Sequence, residues 1–425
     1  MIMAMMKSSN TEWLGDIPAE WDVAQIGNYY ELRNEKVSDY DFEPLPVTMK
    51  GIVPQLATAA KSDDHSNRKL VKKGDFVINS RSDRRGSCGI SPLDGSVSLI
   101  NIVMEPRGVM NPQYYNWLFH TEQFADEFYK WGHGIVDDLW TTRWQEMKKI
   151  LIVAPSPDEQ QAIADYLDET CSKIDEIIAE AKASIDEYKE LKQSVIFEAV
   201  TKGLDKNVEM KDSGVEWIGE IPVDWNIAKI NRVAWTTSGA TPLRSKETEY
   251  YDNAVIRWVR TLDLNNGHVT DSSEKITETA LKNSSCSIMP VKTVCVAMYG
   301  GSGTIGKSGI LEVECATNQA ICSIVSDKKV LNPDYLHYVI MAVRKYWMKY
   351  AVGTRKDPNI NQQIIAQMRI PIPQLSKQDI IVNHLDKVTD KCDSLISEKE
   401  SLINDLEAYK KSLIYEVVTG KRRVV

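Results

Sequence analysis

Several short stretches carry residue types and spacings that could do chemistry. Gly301-Ser-Gly-Thr-Ile-Gly-Lys-Ser308 fits the phosphate-cradling pattern G-x4-G-K-S letter for letter and follows an apolar run. Such a loop holds phosphate when a helix comes next, because its N-terminal N–H groups point at the anion. Here Gly309 follows, and Ile310-Leu-Glu-Val-Glu-Cys315 reads as a strand. Val325-Ser-Asp327 is a poor source for a magnesium carboxylate. The same residues contain G-x-G-x-x-G, which says little outside a βαβ unit.

A second pattern, Asn-Pro-x-Tyr, occurs at Asn111-Pro-Gln-Tyr114 and Asn332-Pro-Asp-Tyr335. Amino-methyltransferases hold a flipped adenine with a similar Asn-Pro-Pro-Tyr. Both copies here lack the second Pro, and no convincing glycine-rich site for S-adenosylmethionine precedes either. Each reads instead as a helix cap with Pro at the first helical position. His65, His120, His133, His268, His337 and His384 form no metal-ligand spacing. No carboxylate–lysine nuclease pattern is persuasive, so the expectation is a chain without catalysis of its own.

Recognition remains. Arginine suits guanine edges, and Asn or Gln suits adenine edges. In the N-terminal half, Arg68, Lys69, Arg81, Arg84 and Arg85 are the candidate nucleic-acid contacts. In the C-terminal half they are Arg244, Lys307, Thr354, Arg355, Lys356 and Asn361. Arg81, Arg84, Arg85, Lys307 and Arg355 lead, because they lie in glycine-bounded loops. A solvated surface charge is the competing reading of each.

The elements that must position these loops come from an internal repeat. Aligning Gln160 with Gln378 brings Leu167-Asp168 onto Leu385-Asp386 and Ser194 to Thr201 onto Ser412 to Thr419, about 45 residues at one offset. Both copies read as long helices with an apolar seam. Leu167, Ile174, Ile178, Ile185 and Leu191 line the first seam, and Leu385, Leu395, Leu402, Leu406 and Leu413 the second. Ser156-Pro-Asp-Glu159 is a capping box, Ser376 with Asp379 a weaker one, and Gly203 and Gly420 stop the helices. At 1.5 Å per residue each rod is roughly 65 Å long. Neither buries its seam alone, so the two copies are expected to pair as a coiled coil.

The repeat extends outside the rods. Glu12-Trp-Leu-Gly-Asp-Ile-Pro-Ala-Glu-Trp21 returns as Glu216-Trp-Ile-Gly-Glu-Ile-Pro-Val-Asp-Trp225. The Asn-Pro offset also carries Tyr129 onto Tyr350 and Gly132 onto Gly353. Strand-like runs lie at Phe76 to Ile78, Val97 to Val103, Val291 to Met298, Ile310 to Val313 and Ala320 to Val325. The reading is an anchor at 1–16, a domain at 17–155, a rod at 156–203, a linker and second anchor at 204–220, a second domain at 221–373, a second rod at 374–420 and a tail at 421–425. Each domain is expected to be α+β with a curved, mostly antiparallel sheet.

The net charge of −9 argues against nucleic acid only until it is partitioned. Residues 158–201 hold 12 acidic with 4 basic residues, and residues 376–419 hold 9 acidic with 6 basic, hence −8 and −3. The remainder carries +2 and can hold basic patches. Seven scattered cysteines without a CxxC fit reduced thiols in a cytosol. No apolar run spans a membrane, and Met1 to Met6 is too short for a signal peptide.

Taken together, the chain resembles the specificity subunit of Type I restriction–modification enzymes. The layout carries the resemblance: two dissimilar domains alternating with two similar helical segments. Ser238-Gly-Ala-Thr-Pro242, Trp258-Val-Arg-Thr-Leu-Asp263, Tyr299 to Gly306, Thr317-Asn-Gln-Ala320, Ile370-Pro-Ile-Pro373 and Gly74-Asp-Phe-Val-Ile-Asn79 are similar to recurrent family segments. The resemblance implies two mixed α/β target-recognition domains separated by two long helices, paired as an antiparallel coiled coil, with an approximate two-fold. It also implies that the glycine loop belongs to a recognition domain. Expected partners are double-stranded DNA, two methyltransferase subunits and motor–restriction subunits. S-adenosylmethionine, ATP and magnesium are expected in those partners, with no cofactor in this chain. The cell would be prokaryotic and the compartment its cytoplasm. The rods would set the spacing of two half-sites. A P-loop ATPase, or a coiled-coil scaffold without DNA specificity, stays open as an alternative.

Overall fold

The computed structural model describes residues 5–55, 65–134, 140–300, 303–353 and 358–424. Its fold is mixed α and β, organised around two long helices, Pro157–Lys202 and Leu375–Val418. The chain forms two compact units. Unit 1 comprises Met1–Lys182 with Glu400–Val425, and unit 2 comprises Ala183–Lys399. The division therefore runs through both rods. Among the described residues no helix is long and apolar enough to cross a membrane.

Unit 1 is built on a four-stranded antiparallel sheet. Its order is Cys88–Ile90, Phe76–Asn79, Asn101–Pro106 and Tyr30–Leu32. Strand Phe76–Asn79 is buried throughout. Val77 joins Leu45, Val71, Val97 and Val103 on one face. Phe76 meets Phe119 edge-on and Tyr30 at a tilt on the other. Successive side chains point to opposite faces of a strand, so a continuous apolar run is what a doubly covered strand requires. Residues 97–103, read as one strand, instead divide into Gly95–Ser98 and Asn101–Pro106. Helices Pro112–Phe119 and Glu122–Lys130 follow, capped by Asn111 and Thr121. Asp22–Gln25 pairs with Leu151–Ala154 where the chain enters and leaves the domain.

Unit 2 follows a related plan with more strands. A five-stranded sheet runs Ala234–Ser238, Ile321–Ser326, Val294–Ala297, Ser308–Leu311 and Gly267–Val269. A four-stranded sheet holds Glu274–Ile276, Ile256–Val259, Cys315–Thr317 and Ile288–Met289. Two pairings are parallel, Ile256–Val259 with Cys315–Thr317 and Gly267–Val269 with Ser308–Leu311; the others are antiparallel. Helix Pro333–Val343 is capped by Asn332, and Asn226–Lys229 pairs with Arg369–Ile372 at the domain's neck.

The first rod opens with the expected capping box. Ser156 Oγ and Glu159 Oε2 are 2.9 Å apart, and the Ser156 and Glu159 backbone N–H groups donate to the opposite side chains. Gly203 and Gly420 end the rods at φ +76° and +73°. A Cβ on Gly420 would sit 2.4 Å from Pro18, and one on Gly203 would sit 3.1 Å from Trp225. Each stop glycine thus lies under a Pro-x-x-Trp anchor: the second rod ends on the first anchor in unit 1, and the first rod ends on the second anchor in unit 2.

The seam differs in detail from the expectation. One line of buried or half-buried positions on the first rod runs through Leu167, Cys171, Ile174, Ile178, Ala181, Ile185, Tyr188, Lys192, Val195 and Ala199. The matching line on the second runs through Leu385, Thr389, Cys392, Ile396, Lys399, Ile403, Leu406, Lys410, Leu413 and Val417. Both alternate steps of four and three, the 3.5-residue period of a supercoiled pair. Leu191 and Leu402, assigned to the seam from leucine spacing, are 50% and 39% exposed, one position off this register. Leu395 is half-buried beside Ile396. The register places Lys192 and Lys410 on the seam. Each lays its stem along apolar surface and carries its ammonium to water. Lys410 Nζ reaches both Asp175 oxygens at 2.6 Å in unit 1. In unit 2 Lys192 Nζ reaches Asp393 at 2.6 and 2.8 Å. In unit 1 the Lys182–Glu407 pair joins the Lys410–Asp175 pair, so the two segments there run antiparallel.

Candidate nucleic-acid interface

Four of the five leading candidates, Arg81, Arg84, Arg85 and Lys307, fall on one structural feature, which each unit builds separately. In unit 1 the hairpin between Phe76–Asn79 and Cys88–Ile90 carries Arg81, Arg84 and Arg85. In unit 2 the hairpin between Val294–Ala297 and Ser308–Leu311 carries the glycine loop and Lys307. Within their sheets these hairpins hold the same place, because the strand before each pairs with the longest strand, which pairs in turn with the strand following the neck.

A second loop buttresses each hairpin. Ser82 N donates to Trp140 O (3.1 Å) and Thr142 N to Ser80 O (3.0 Å) in unit 1. In unit 2 Ile360 N donates to Met298 O at 3.0 Å. These loops follow the helices that contain Tyr129 and Tyr350. Thr354, Arg355 and Lys356 belong to the second of them but lie outside the described residues.

The candidates differ in how free their charges are. Arg84 has a 69% exposed side chain, 3.7 Å from Asp83. Arg85 is half exposed and ion-paired with Asp126. Gly86 follows them at φ +74°, a conformation that favours glycine. Arg81 is half-buried and pairs through its backbone with Thr141.

Arg68 and Lys69 do a different job. Arg68 donates to Ser96 Oγ (2.7 Å) and Ser96 O (3.1 Å), and Lys69 donates to Asn101 O at 2.6 Å. Partial burial lowers the pKa of both. Arg244 is held by Glu274 (2.5 Å) and lies 4.3 Å over the Tyr251 ring, and the Glu274 hydrogen bond raises its pKa. Asn361 caps helix Gln362–Gln367 by accepting from Ile364 N at 2.8 Å. These four side chains are committed to internal contacts as they stand, a use the sequence reading did not foresee.

Among the described residues, the helix that a phosphate loop requires is not formed. Gly301 and Ser302 lie outside the described residues, but Lys307 leads straight into strand Ser308–Leu311, where Ser308 is fully buried. No helix N-terminus follows to receive phosphate. Among the described residues no group of three or more His, Cys, Asp or Glu is placed to hold a metal ion.

The Asn-Pro-x-Tyr motifs have a role that the sequence reading missed. Asn111 N donates to Gln160 Oε1 at 2.8 Å, and Asn332 N donates to Gln378 Oε1 at 2.8 Å. Gln160 and Gln378 also donate to Pro155 O and Pro373 O. Tyr114 Oη donates to Val418 O (2.7 Å), and Tyr335 Oη donates to Val200 O (3.2 Å). Each motif therefore clamps the start of one rod and the end of the other within its own unit. Burial raises the pKa of both tyrosines well above the usual phenol value, so both remain donors. The signal was available: Asn, Tyr and Gln recur in both copies while their surroundings differ.

Comparison with known proteins places this architecture. Residues 222–405 match the family described as Type I restriction modification DNA specificity domain. The chain is 24% identical to the MjaVIII specificity subunit of a Type I restriction enzyme from Methanocaldococcus jannaschii, over 100% of this chain and 98% of that one. It is 23% identical to the MjaIX specificity subunit from the same organism, over 97% and 95%. A solved structure titled for complex assembly and conformational transition of the type I R-M system shares the fold, with a TM-score of 0.74 at 13% identity, covering 96% of this chain and 99% of that one. The HsdS subunit from Thermoanaerobacter tengcongensis superposes with a TM-score of 0.55 at 15% identity, over 96% and 98%. The chain is thus similar along its whole length to specificity subunits of Type I restriction enzymes, and residues 222–405 carry the match to the DNA specificity domain.

Proposed function

We propose that this chain reads a split, asymmetric DNA sequence, one half through each unit. The observation that carries the reading is the pair of like-placed hairpins with unlike residues. One offers three arginines around Gly86, and the other a glycine loop with a single lysine. Phosphate contacts position such a protein, and side chains in the loops specify bases. The rods associate as an antiparallel coiled coil and give the two halves an approximate two-fold. Two methyltransferase subunits dock on that framework, bind S-adenosylmethionine and methylate adenine. Motor–restriction subunits using ATP and magnesium join them for cleavage. A prokaryotic cytoplasm suits such an assembly.

Base-modification sequencing of the host genome, with and without this gene, tests the reading. Deletion is expected to erase adenine methylation at one split motif. An unchanged methylome in a strain whose modification subunits are expressed would sink it. Rod length is expected to set the unread spacer. Removing one seven-residue heptad from each rod shortens a helix by about 10 Å, roughly 3 base pairs at 3.4 Å each. The methylated motif should lose about that many spacer positions with both half-sites unchanged. A variant that still methylates the original spacing rules out the ruler.

A further inference from the structure

Among the described residues, Leu262 is the most exposed large apolar side chain, at 80%. Exposed leucines scattered over a surface are ordinary. This one is carried by a built turn, Thr261–Asp263, just after strand Ile256–Val259. Asp263 closes the turn with both carboxylate oxygens. Its Oδ2 accepts from Arg260 N at 2.7 Å, and its Oδ1 accepts from Ser273 N at 3.0 Å. The Arg260 guanidinium is occupied by Glu274 and by Ser273 Oγ, each at 3.0 Å. Leu264, two residues on, is buried in the core of unit 2. The backbone on both sides of Leu262 is thus fixed, while the side chain itself adds nothing to that core. A polar residue would serve a solvated turn as well, so the fold does not explain the leucine.

The turn is tied to the glycine hairpin at both ends of the hairpin's loop. At one end, a Cβ on Gly300 would lie 3.3 Å from Thr261 Oγ1. At the other, Asn266 N donates to Ser308 O at 2.8 Å, and Asn266 Oδ1 accepts from Ser308 N at 3.1 Å. Asn266 makes both bonds from φ +63°, a conformation that asparagine tolerates better than most residues. Ser308 directly follows Lys307. Leu262 therefore stands on a rigid segment beside the hairpin that carries the unit 2 candidate. A two-stranded ribbon such as this hairpin fits the major groove of DNA, and there thymine alone presents a methyl group. A lysine suits phosphates and acceptor edges. An apolar side chain next to it suits the methyl.

We infer that Leu262 reads a thymine in the half-site of unit 2 by packing on its C5-methyl group. The inference rests on the DNA reading proposed above and deepens it. One base position then depends on an apolar contact, not on a hydrogen bond or a charge. Its share of the affinity does not follow the salt dependence expected of phosphate contacts.

The test uses the full-length chain with co-expressed modification subunits, as wild type and as Leu262→Ala. Duplexes carry the methylated motif with deoxyuridine replacing each thymine in turn, which removes only the methyl. At one position, in the half-site that Lys307→Ala alters, uracil is expected to weaken wild-type binding about fourfold, the worth of one methyl group taken from water. Leu262→Ala is expected to bind the thymine and uracil duplexes equally, with an unchanged urea midpoint because the position is exposed. A uracil penalty of the same size in both proteins, at no position, or only in the other half-site overturns the inference and leaves the two-unit reading standing. A variant that binds thymine and uracil duplexes equally weakly, where the wild type also does not distinguish them, has lost a wedge between base steps, and the methyl contact is overturned. A wild type that binds a scrambled duplex as tightly as the motif refutes the DNA reading, and this inference falls with it.

Discussion

Replacing Arg84 and Arg85 together with Ala is expected to relax or abolish one half of the methylated motif while the other half stays intact. Both side chains are at least half exposed, on the hairpin that turns at Gly86. Arg85 must leave Asp126 to reach a base, but an exposed ion pair of this kind is worth only about 0–1 kcal/mol. A bidentate contact to guanine is worth about 1–3 kcal/mol per base, so losing two lowers specific affinity by roughly 30- to 20,000-fold. If either arginine touches phosphate instead, binding weakens for all sequences and the salt slope falls by about 1. Modification mapping in cells, and binding titrations across salt with the assembled complex, separate these outcomes. Lys307→Ala is expected to act on the opposite half alone. A double variant that alters both halves, or neither, removes the hairpin from the reading head.

How far the sequence could be read depended on how near the determining partner was. The rods, their capping box at Ser156 and their stop glycines were visible because caps act within one helical turn. The two Asn-Pro helix starts were legible for the same reason, and the central strands for their unbroken apolar runs. Fates set by distant partners were not. Arg68 meets Ser96, 28 residues on, and Lys69 meets Asn101. Tyr114 meets Val418 across 304 residues. Seen as sequence, these are a basic cluster and a borrowed motif; in the fold they are structural ties. The seam failed more subtly. Leucines at 191 and 402 fit a loose three-to-four spacing, but the 3.5-residue register runs through Lys192 and Ile403, and register is a property of the pair.

His337 gives the second large expectation, a pH dependence of stability that one substitution removes. Burial, with smaller contributions from the positive charges of His268, Lys292 and Lys192, lowers its pKa from 6.5 to about 3. The sign follows from proton uptake. Between these values the unfolded chain binds a proton that the folded chain refuses, so falling pH favours unfolding. The cost is about 1.4 kcal/mol per pH unit below 6.5, or roughly 2 kcal/mol at pH 5, with no contribution above 6.5. Carboxylates titrate lower, so pH 5 to 6.5 is the window in which this histidine stands apart. His337→Asn supplies the residue that unit 1 uses at the matching position, Asn116, and cannot titrate. Urea midpoints measured from pH 5 to 7.5 should fall towards acid in the wild type and much less in the variant, the other histidines being common to both. Parallel curves would mean that the buried imidazole takes up its proton in the folded state.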